Sequence, residues 1–571
     1  MRTKPRPRLL MMSFSLVALL VLILSACGST SGPSSGSSGA SSTPVKGGTW
    51  IDDLFEEPDS FIPNGVSETF ADMVDQSIWT PLFVGDASGH INPGLVSEMP
   101  SITNGDVSAD AKTWTFKLKP NLLWSDGQPL DARDVDYTWR LWDNMLPGQS
   151  AKTQFTPAST TGYNLIQSAT VSSDNLSITF HLKSAFAPFL SVWTDGLNAP
   201  MPAHVLSQIS PDKILSSPEN LKPSVSSGPF MVSESVPGDH FTVVRNPKYY
   251  QAGLPYLDKI VFQIRANQDT ILKDLQAGSI DSAWFLDVSK TIAYQRLSNY
   301  KLVANPHASN FEAMYFNFLD PILGKDLAVR QAMAMDINHQ NLIDAARRGE
   351  ATPLCTDHGK SYVPGYQADV QCTAYDPKGA ATLLQNDGWA LSSTDNLRHK
   401  NGQTLEFTYA TTANNIWRSD DEAILQSEFK TDLGIKLDIT NYPAGTFFGP
   451  YLNGTKWQLA EFEDSFTYDA DDESLLGCDQ FPPTGSNFGR YCNQNLQKLY
   501  SQEEGTFDQT ARQNAFNQEH QIYLTDFPFV TLYGPIDIAM DKVGANNYMP
   551  GPMGASETIG VQSWWCTNST C

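Results

Sequence analysis

Residues 111–141, AKTWTFKLKPNLLWSDGQPLDARDVDYTWRL, carry the clearest structural pattern of the chain. Apolar and polar residues alternate over 114–118, which is the pattern of a half-buried strand. Ser125-Asp126-Gly127 is turn chemistry, because glycine accepts the positive φ of a tight reversal. Asp131 then precedes apolar residues at helical spacing and is placed to cap a helix. The stretch therefore predicts a strand, a turn and a capped helix.

The beginning of the chain predicts its compartment. Four basic residues precede an apolar run at 9–24, which is typical of a signal peptide and short for a membrane span. The run ends in Leu24-Ser25-Ala26-Cys27, which is similar to a bacterial lipobox. Residues 1–27 are therefore interpreted as a lipoprotein signal peptide with Cys27 as the lipidated residue. A plain secretory signal and an uncleaved anchor are the alternatives.

Residues 28–44 are rich in Gly and Ser and predict a flexible tether between the lipid and a folded body. The body would then lie outside the cytoplasm, anchored to the outer face of the cell membrane. Of the 571 residues, 41% are hydrophobic, which is enough for sizeable cores. The formal net charge of −24 excludes nucleic acid as an expected partner, because phosphate binding needs clustered Lys and Arg.

The chain has seven cysteines. Apart from Cys27 they form near neighbours, which in an oxidising compartment predicts three local disulfides. The predicted pairs are Cys355 with Cys372, Cys478 with Cys492, and Cys566 with Cys571. A metal site at Cys355-Thr-Asp-His358 is the alternative, but no second motif of this kind supplies the remaining ligands. We therefore predict no metal site and no cofactor.

Several motifs in order resemble one family. Trp114-Thr-Phe116-Lys-Leu118, Trp124-Ser-Asp-Gly127 and Pro129-Leu-Asp-Ala-Arg-Asp-Val135 resemble the signature of the family 5 extracellular solute-binding proteins, and Ser227-Gly-Pro-Phe230 and Asn246-Pro-Lys-Tyr-Tyr250 are similar to later motifs of the family. The resemblance covers nearly the whole mature chain. It implies an α/β fold like that of the periplasmic binding proteins (type II, cluster C-like), with two lobes, a hinge, a cleft and an inserted domain.

The same resemblance implies the domain limits. Domain I would comprise residues 45–91, 215–305 and 529–571, domain II the insert at 92–214, and domain III residues 306–528. Within domain III, residues 326–340 predict one amphipathic helix. Residues 405–439 predict strand, helix and strand, the order of a parallel sheet.

The family implies that the protein binds a solute by cleft closure and delivers it to the membrane permease of an ABC transporter. An oligopeptide or dipeptide is the expected solute, with oligosaccharides and nickel chelates as alternatives, and the protein is expected to be a monomer. We expect no enzyme, since the sequence has no Gly-x-Ser-x-Gly elbow, Walker loop or His-Glu-x-x-His motif. A lipid-anchored glycan-active enzyme that uses paired carboxylates is the alternative of a different class.

Candidate ligand-binding residues concentrate in residues 457–476, WQLAEFEDSFTYDADDESLL. The resemblance implies that Asp464 pairs with the α-ammonium group of a peptide, with Glu463 next to it. Further candidates are Phe462, Tyr468 and Asp469 in the same segment, Trp417 and Arg418 after a predicted strand, and Glu57 in a loop expected at the cleft. Arg418 is expected to pair with a ligand carboxylate. An acidic surface loop and simple packing of Trp417 are the alternatives.

Overall fold

The computed structural model describes residues 43–66, 68–86, 89–305, 310–358, 370–465, 468–482, 484–548 and 556–567. The chain divides into two compact units, Met1–Thr43 and Pro44–Cys571. The predicted signal peptide, the lipidation site Cys27 and the predicted tether up to residue 42 lie outside the described residues. Within the described ranges, no helix has both the length and the apolar character that crossing a membrane requires.

Strands and helices alternate along the chain, with short 3₁₀ and π segments between them. The strands are β1 Thr49–Leu54, β2 Phe83–Gly85, β3 Ile91–Pro93, β4 Thr113–Lys117, β5 Ile166–Val171, β6 Ser177–Leu182, β7 Phe230–Val236, β8 His240–Arg245, β9 Lys259–Ile264, β10 Ser282–Ala283, β11 Tyr300–Asn305, β12 Asn310–Phe316, β13 Ala351–Thr352, β14 Ala390–Leu391, β15 Arg398–Lys400, β16 Gln403–Thr404, β17 Glu406–Ala410, β18 Lys436–Ile439, β19 Leu459–Ser465, β20 Phe529–Pro535, β21 Asp537–Lys542, β22 Ala545–Asn546 and β23 Trp565–Cys566. The helices are α1 Thr69–Ile78, α2 Ala132–Trp142, α3 Ala203–Leu206, α4 Gln268–Ala277, α5 Thr291–Tyr294, α6 Leu327–Asp336, α7 His339–Ala345, α8 Pro377–Asn386, α9 Ile416–Glu428, α10 Ala444–Thr446, α11 Glu473–Leu476, α12 Gln494–Glu503 and α13 Gln509–Asp526.

The stretch at 111–141 folds as its pattern predicts. Strand β4 alternates between buried and half-buried residues, and Gly127 has a φ of 88° in the turn that follows. Asp131 caps α2 in a capping box, because its side chain accepts from the helix and the Asp134 side chain accepts from the Asp131 amide. The buried face of α2 ends in Trp142, whose indole N–H donates to the Pro63 carbonyl at 3.2 Å. These elements belong to an aromatic core around Trp193 and its neighbours.

Two large sheets organise the described residues. The first has seven strands in the order β11-β21-β10-β1-β9-β8-β7, and the second has six in the order β13-β20-β12-β19-β17-β18. We call residues 44–305 and 537–567, built around the seven-stranded sheet, the first lobe, and residues 310–535, built around the six-stranded sheet, the second lobe. The first lobe also contains the three-stranded sheet β4-β6-β5.

The chain passes between the lobes along neighbouring strands. β11 belongs to the first sheet and β12 to the second, while β20 belongs to the second and β21 to the first. Only Ile536 separates β20 from β21, and its amide donates to the Glu350 carbonyl at 3.1 Å. Such paired crossings are the natural place for a hinge, because few backbone angles there change the orientation of both lobes.

Two elements differ from the sequence prediction. The residues from 529 onward were assigned to domain I, whereas β20 pairs with β12 and β13 in the second lobe, so the chain returns to the first lobe only after Ile536. The helix predicted over 326–340 is two helices, α6 and α7, because Ile337 is extended and Asn338 caps α7 by accepting from the Asn341 amide. The division into three domains stays a prediction, since the chain from Pro44 onward forms one compact unit.

Two of the predicted disulfides are present in the structure. Cys355 is joined to Cys372 and Cys478 to Cys492, each with a Cα–Cα distance of 4.6 Å. The predicted partner of Cys566, Cys571, lies outside the described residues. Both disulfides lie in the second lobe and close short loops, as their spacing predicts.

Candidate functional site

The two lobes touch along a line of contacts that closes a cleft between the sheets. The Ala187 amide of the first lobe donates to the Glu504 carbonyl of the second at 2.6 Å, and the Thr160 amide donates to the Thr484 carbonyl at 3.4 Å. Trp114 meets Phe507 with ring centroids 5.7 Å apart. These contacts join elements of the two lobes that a hinge motion would separate.

A polar network lies where the chain crosses between the lobes. The Asn310 side-chain amide donates to Glu463 Oε1 at 2.6 Å and to Asp537 Oδ2 at 3.1 Å. The Arg347 guanidinium lies 3.8 Å from Asp537 Oδ1. Residues of both lobes thus meet at one point, and any rotation of one lobe against the other changes their contacts.

Arg418 is a buried cation of the second lobe that interacts with several carboxyl groups. It is 7% exposed and forms a forked ion pair with Glu312, at 2.9 Å from Nε to Oε1 and 3.2 Å from Nη2 to Oε2. Its Nη1 donates to the Thr412 hydroxyl at 2.8 Å. Three donor groups are therefore already engaged within the protein, and the predicted pairing of Arg418 with a ligand carboxylate would use the remaining N–H groups.

Glu463 and Asp464 are neighbours in β19 and face opposite sides of the sheet, because successive side chains alternate along a strand. β19 runs antiparallel to β12, with Glu463 opposite Glu312 and Asp464 opposite Phe311. Glu463 therefore lies with Glu312 and Arg418. Burial raises its pKa well above the usual range, the nearby carboxyl groups add to that, and Arg418 opposes it.

Asp464 lies on the other face of the sheet, with Tyr315. Burial raises the pKa of its carboxyl to about 7, although the hydrogen bond from the Ser465 amide at 3.0 Å and the nearby Tyr315 hydroxyl favour the ionised form. In the described part of the chain, Asp464 has no ion pair with Lys or Arg. It is a half-buried carboxyl group at the end of β19 whose ionised form lacks a cation.

The first lobe contributes further carboxyl groups. Glu68 caps α1, accepting from the Phe70 amide at 2.7 Å, and burial together with the nearby Glu56 raises its pKa to about 8. Burial also raises the pKa of Glu56, while the Arg418 guanidinium of the second lobe lowers it. Glu56 of the first lobe and Arg418 of the second are therefore close enough to interact electrostatically.

The charges around the cleft are unequal. The carboxyl groups that interact with one another or with the guanidinium groups of Arg347 and Arg418 include Glu56, Asp59, Glu68, Glu312, Asp421, Glu422, Glu461, Glu463 and Asp537. An excess of carboxylates in a partly desolvated cleft attracts cations and disfavours anions. The arrangement is suited to a ligand with at least one positive group.

Two of the remaining candidates lie in the aromatic packing of the second lobe. Phe462 is 2% exposed and stacks on Tyr315 with ring centroids 4.1 Å apart. Trp417 is 7% exposed, and the Arg347 guanidinium lies over its indole ring, with Cζ 5.0 Å from the ring centroid. Both contribute to the shape of the site, and their contact with a ligand stays a prediction.

The last three candidates have partners of their own. Glu57 accepts from the Gly238 amide at 2.6 Å, and Asp469 forms an ion pair with Arg512 at 2.5 Å. The buried Tyr468 packs so closely against Gly85 of the first lobe that a Cβ on Gly85 would overlap the Tyr468 ring. The structure thus brings Asp464, Glu463, Phe462 and Arg418 to the end of one sheet, and places Asp469 and Glu57 elsewhere.

The sequence analysis missed the partners of these residues. Glu312, Arg347 and Glu68 carry no local motif, and their roles follow from contacts with distant parts of the chain; Arg418 and Glu312 are 106 residues apart. In the first lobe the prediction named Glu57, whereas Glu56 is the residue that approaches Arg418. The available signal in the sequence was the pair of adjacent carboxylates, Glu56 and Glu57, in the loop expected at the cleft.

A substitution at Gly85 tests whether Tyr468 must pack there for the lobes to close. In Gly85→Ala the added methyl group would collide with the Tyr468 ring, and we expect ligand affinity to fall by about 1–3 kcal/mol, the usual cost of overpacking. Isothermal titration with a bound ligand would measure this. Tyr468→Ala in the same chain should restore much of the affinity; a double variant as weak as Gly85→Ala would show that the contact does not control closure.

Comparison with known proteins places this arrangement in a family. Residues 90–480, more than half of the chain, match the bacterial extracellular solute-binding proteins, family 5. The oligopeptide-binding protein AppA of Bacillus subtilis (strain 168) is 22% identical over 579 residues, covering 98% of this chain and 99% of that protein. The nickel-binding periplasmic protein of Escherichia coli (strain K12) is 27% identical over 338 residues, covering 57% of this chain and 59% of that protein.

Solved structures share the fold. AppA of Bacillus subtilis in complex with a nonapeptide superposes with a TM-score of 0.82 at 20% identity, covering 92% of this chain and 100% of that chain. NikZ of Campylobacter jejuni in complex with Ni(L-His) gives a TM-score of 0.78 at 20% identity, covering 90% of this chain and 99% of that chain. The predicted α/β fold of the periplasmic binding proteins is confirmed.

These relatives are named as binding proteins, and the match spans both lobes and the crossing between them. The chain therefore belongs to the bacterial extracellular solute-binding proteins of family 5, which makes it an extracytoplasmic solute-binding protein and not an enzyme.

Proposed function

We propose that the protein captures a peptide with a free terminal ammonium group in the cleft and delivers it to an ABC permease. The observation that carries this proposal is the Asp464 carboxyl group, which ends β19 without an ion-pair partner of its own among the described residues. Its pKa of about 7 leaves a sizeable ionised fraction at neutral pH. A ligand ammonium would provide the missing cation through a charge-assisted hydrogen bond.

The relatives support a peptide ligand without establishing it for this chain. AppA is named an oligopeptide-binding protein, and its structure holds a nonapeptide. NikZ holds Ni(L-His), so a nickel chelate is the second candidate. The excess of carboxyl groups at the cleft is compatible with either ligand, because each carries positive charge.

Capture would work through closure around the hinge at Ile536, with no chemical change to the solute. Glu56 of the first lobe and Arg418 of the second would come together when the ligand is enclosed. We further propose that a lipid on Cys27 and the tether at 28–44 hold the monomeric protein near its permease, which raises the effective concentration of the loaded receptor. This part of the proposal rests on the sequence alone.

Replacing Asp464 tests the proposed ammonium contact. We expect Asp464→Asn to weaken binding of free-amine peptides by about 10- to 150-fold, because a hydrogen bond to a charged group contributes about 1.5–3 kcal/mol. The measurement is titration calorimetry on the protein as the cell makes it, purified in detergent. The ligands would come from a thermal-shift panel of di- to hexapeptides, oligosaccharides and nickel chelates.

Two controls sharpen this experiment. Asp438→Asn removes a half-exposed carboxylate of the same sheet, 48% exposed, and should leave affinity unchanged. A peptide with an acetylated amino terminus should bind the native protein weakly and be insensitive to Asp464→Asn. If Asp464→Asn binds free-amine peptides as tightly as the native protein does, the proposed anchor is wrong. If only oligosaccharides or nickel chelates in the panel bind, the peptide proposal is wrong and that compound class is the ligand.

A further inference from the structure

A second group of ionisable side chains lies inside the second lobe, away from the crossing between the lobes. Asp357 and His358 follow Cys355 in the loop that the Cys355–Cys372 disulfide closes. His520 belongs to α13, and Asp472 immediately precedes α11. These four side chains come from three parts of the chain, and each is at most 2% exposed.

The ligating atoms of three of these side chains, Asp357, His358 and His520, lie close together. Asp357 Oδ1 lies 3.0 Å from His520 Nε2 and 3.2 Å from His358 Nδ1. One ligand atom from each of these three residues lies within 4.8 Å of the other two. In a tetrahedral site with zinc–ligand bonds of about 2.0–2.1 Å, the ligand atoms are roughly 3.3–3.4 Å apart. The observed separations are close to that value.

The balance of charge around this point favours a cation. The carboxyl groups of Asp472 and Asp357 interact directly, and Asp472 Oδ2 accepts from the Tyr523 hydroxyl at 2.5 Å. Asp472 Oδ1 is buried and has no hydrogen-bond partner among the described residues.

The Arg512 guanidinium, which interacts with the neighbouring Glu519, is paired with other carboxylates. Glu519, next to His520 in α13, is fully buried, and both of its carboxyl oxygens lack a hydrogen-bond partner within the described ranges. Arg512 interacts with Glu519 at a distance but forms its close ion pairs with Asp469 and Glu503, at 2.5 and 2.7 Å. The carboxyl groups near His520 therefore exceed the side-chain cations available to them.

We propose that Asp357, His358 and His520 bind one Zn²⁺ ion that fastens residues 355–358 to α13, and that the neighbouring Asp472 completes the tetrahedral site by turning its carboxyl group toward the ion. Two imidazoles with carboxylates form a ligand set that zinc accepts, whereas calcium and magnesium prefer oxygen ligands alone. The site would be structural, since it is closed and buried. The sequence analysis looked for further ligands only in a second motif of the same kind, whereas in this proposal they come from α13 and from the segment after β19.

The alternative to a bound zinc ion is protonation of the same side chains. Asp472 in its protonated form could donate to Asp357, and a protonated imidazole could balance the remaining charge. Zinc binding would instead require neutral imidazoles and ionised carboxylates and would release protons to the buffer. The two occupants are distinguished by metal content.

The test uses the protein as the cell makes it, without added histidines, purified in detergent. Metal analysis should find close to one zinc per chain, and dialysis against a chelator followed by titration with ZnCl₂ should restore one equivalent and raise the melting temperature. His520→Gln and His358→Gln should each lose that equivalent, with at least a tenfold weaker affinity for zinc. His399→Gln is the matched control, because His399 forms an exposed pair with Asp395 at 3.0 Å and should leave zinc binding unchanged.

If the variants fail to fold, measurements on the native protein alone can still contradict the proposal. X-ray absorption at the zinc edge should show two imidazole ligands with oxygen and no sulfur. The proposal is wrong if the native protein neither contains nor takes up zinc, or if His520→Gln and His358→Gln both retain a full equivalent. A sulfur ligand in the spectrum would also exclude it. Binding of CaCl₂ instead of ZnCl₂ would point to a different, all-oxygen site.

Discussion

Replacing Arg418 by Gln is expected to destabilise the protein by about 3–5 kcal/mol, because it leaves the buried Glu312 carboxylate without its cation. Glu312 is fully buried, and the Glu461 and Glu463 carboxyl groups lie close enough to interact with the same guanidinium. Removing one partner of such a pair costs more than the pair itself contributes, since an uncompensated charge remains in an apolar surrounding. Urea unfolding followed by tryptophan fluorescence would measure the loss.

Arg348→Gln provides the matched control for Arg418→Gln. Arg348 pairs with Asp420 at 3.1 Å, but its side chain is 48% exposed, so its removal should change stability by less than about 0.5 kcal/mol. Glu312→Gln combined with Arg418→Gln should recover much of the loss, because neither buried charge then lacks a partner. An Arg418→Gln protein as stable as the control would mean that water or a neighbouring carboxyl proton replaces the guanidinium at little cost.

The stability of the protein is expected to fall as pH rises from about 5 to 8. Burial raises the pKa of Asp53 to about 7, and the pKa values of Asp336 and Glu557 to about 8. Ordinary values in an unfolded chain are about 3.9 for Asp and 4.3 for Glu. In this window the folded protein therefore holds more protons than the unfolded chain, and its stability declines as these groups ionise. Melting temperatures measured across the range would show the slope.

Asp336 offers the sharpest test of this pH dependence. Its carboxyl group ends α6, is fully buried, and has no hydrogen-bond partner among the described residues. Negative charge at a helix C-terminus is unfavourable, and Asp432 and Glu428 raise the pKa of Asp336 further. Asp336→Asn should stabilise the protein more at pH 8 than at pH 5, by at least about 1.4 kcal/mol, the equivalent of one pKa unit.

An exposed aspartate supplies the comparison for Asp336→Asn. Asp344 lies on the surface of α7 and accepts from the Gln340 side chain at 2.8 Å. Asp344→Asn should leave the pH profile of the melting temperature as it is in the native protein. Equal stabilisation by Asp336→Asn at pH 5 and pH 8 would contradict the raised pKa, because it would mean that the Asp336 carboxyl group is ionised throughout the window in the folded protein as in the unfolded chain.

The local elements and the family could be predicted from the sequence because their signals are local. The alternation at 114–118, the glycine of the turn and the cap at Asp131 each depend on residues a few positions apart, and they fold as predicted. The pairing of Cys355 with Cys372 and of Cys478 with Cys492 also followed from spacing. The helix over 326–340 was predicted too long, because the strength of Asn338 as a cap was overlooked.

The tertiary structure alone decided how the charged residues are grouped. Sequence analysis selected Asp464 and Glu463 together, but the pleat of β19 directs their side chains to opposite faces of the sheet. The register with β12 places Glu463 next to Glu312 and close to Arg418. His358 and His520 meet at Asp357 only because α13 packs against the disulfide loop. Periodicity determines which face of an element a residue occupies, whereas the partner on that face is set by contacts between residues far apart in the chain.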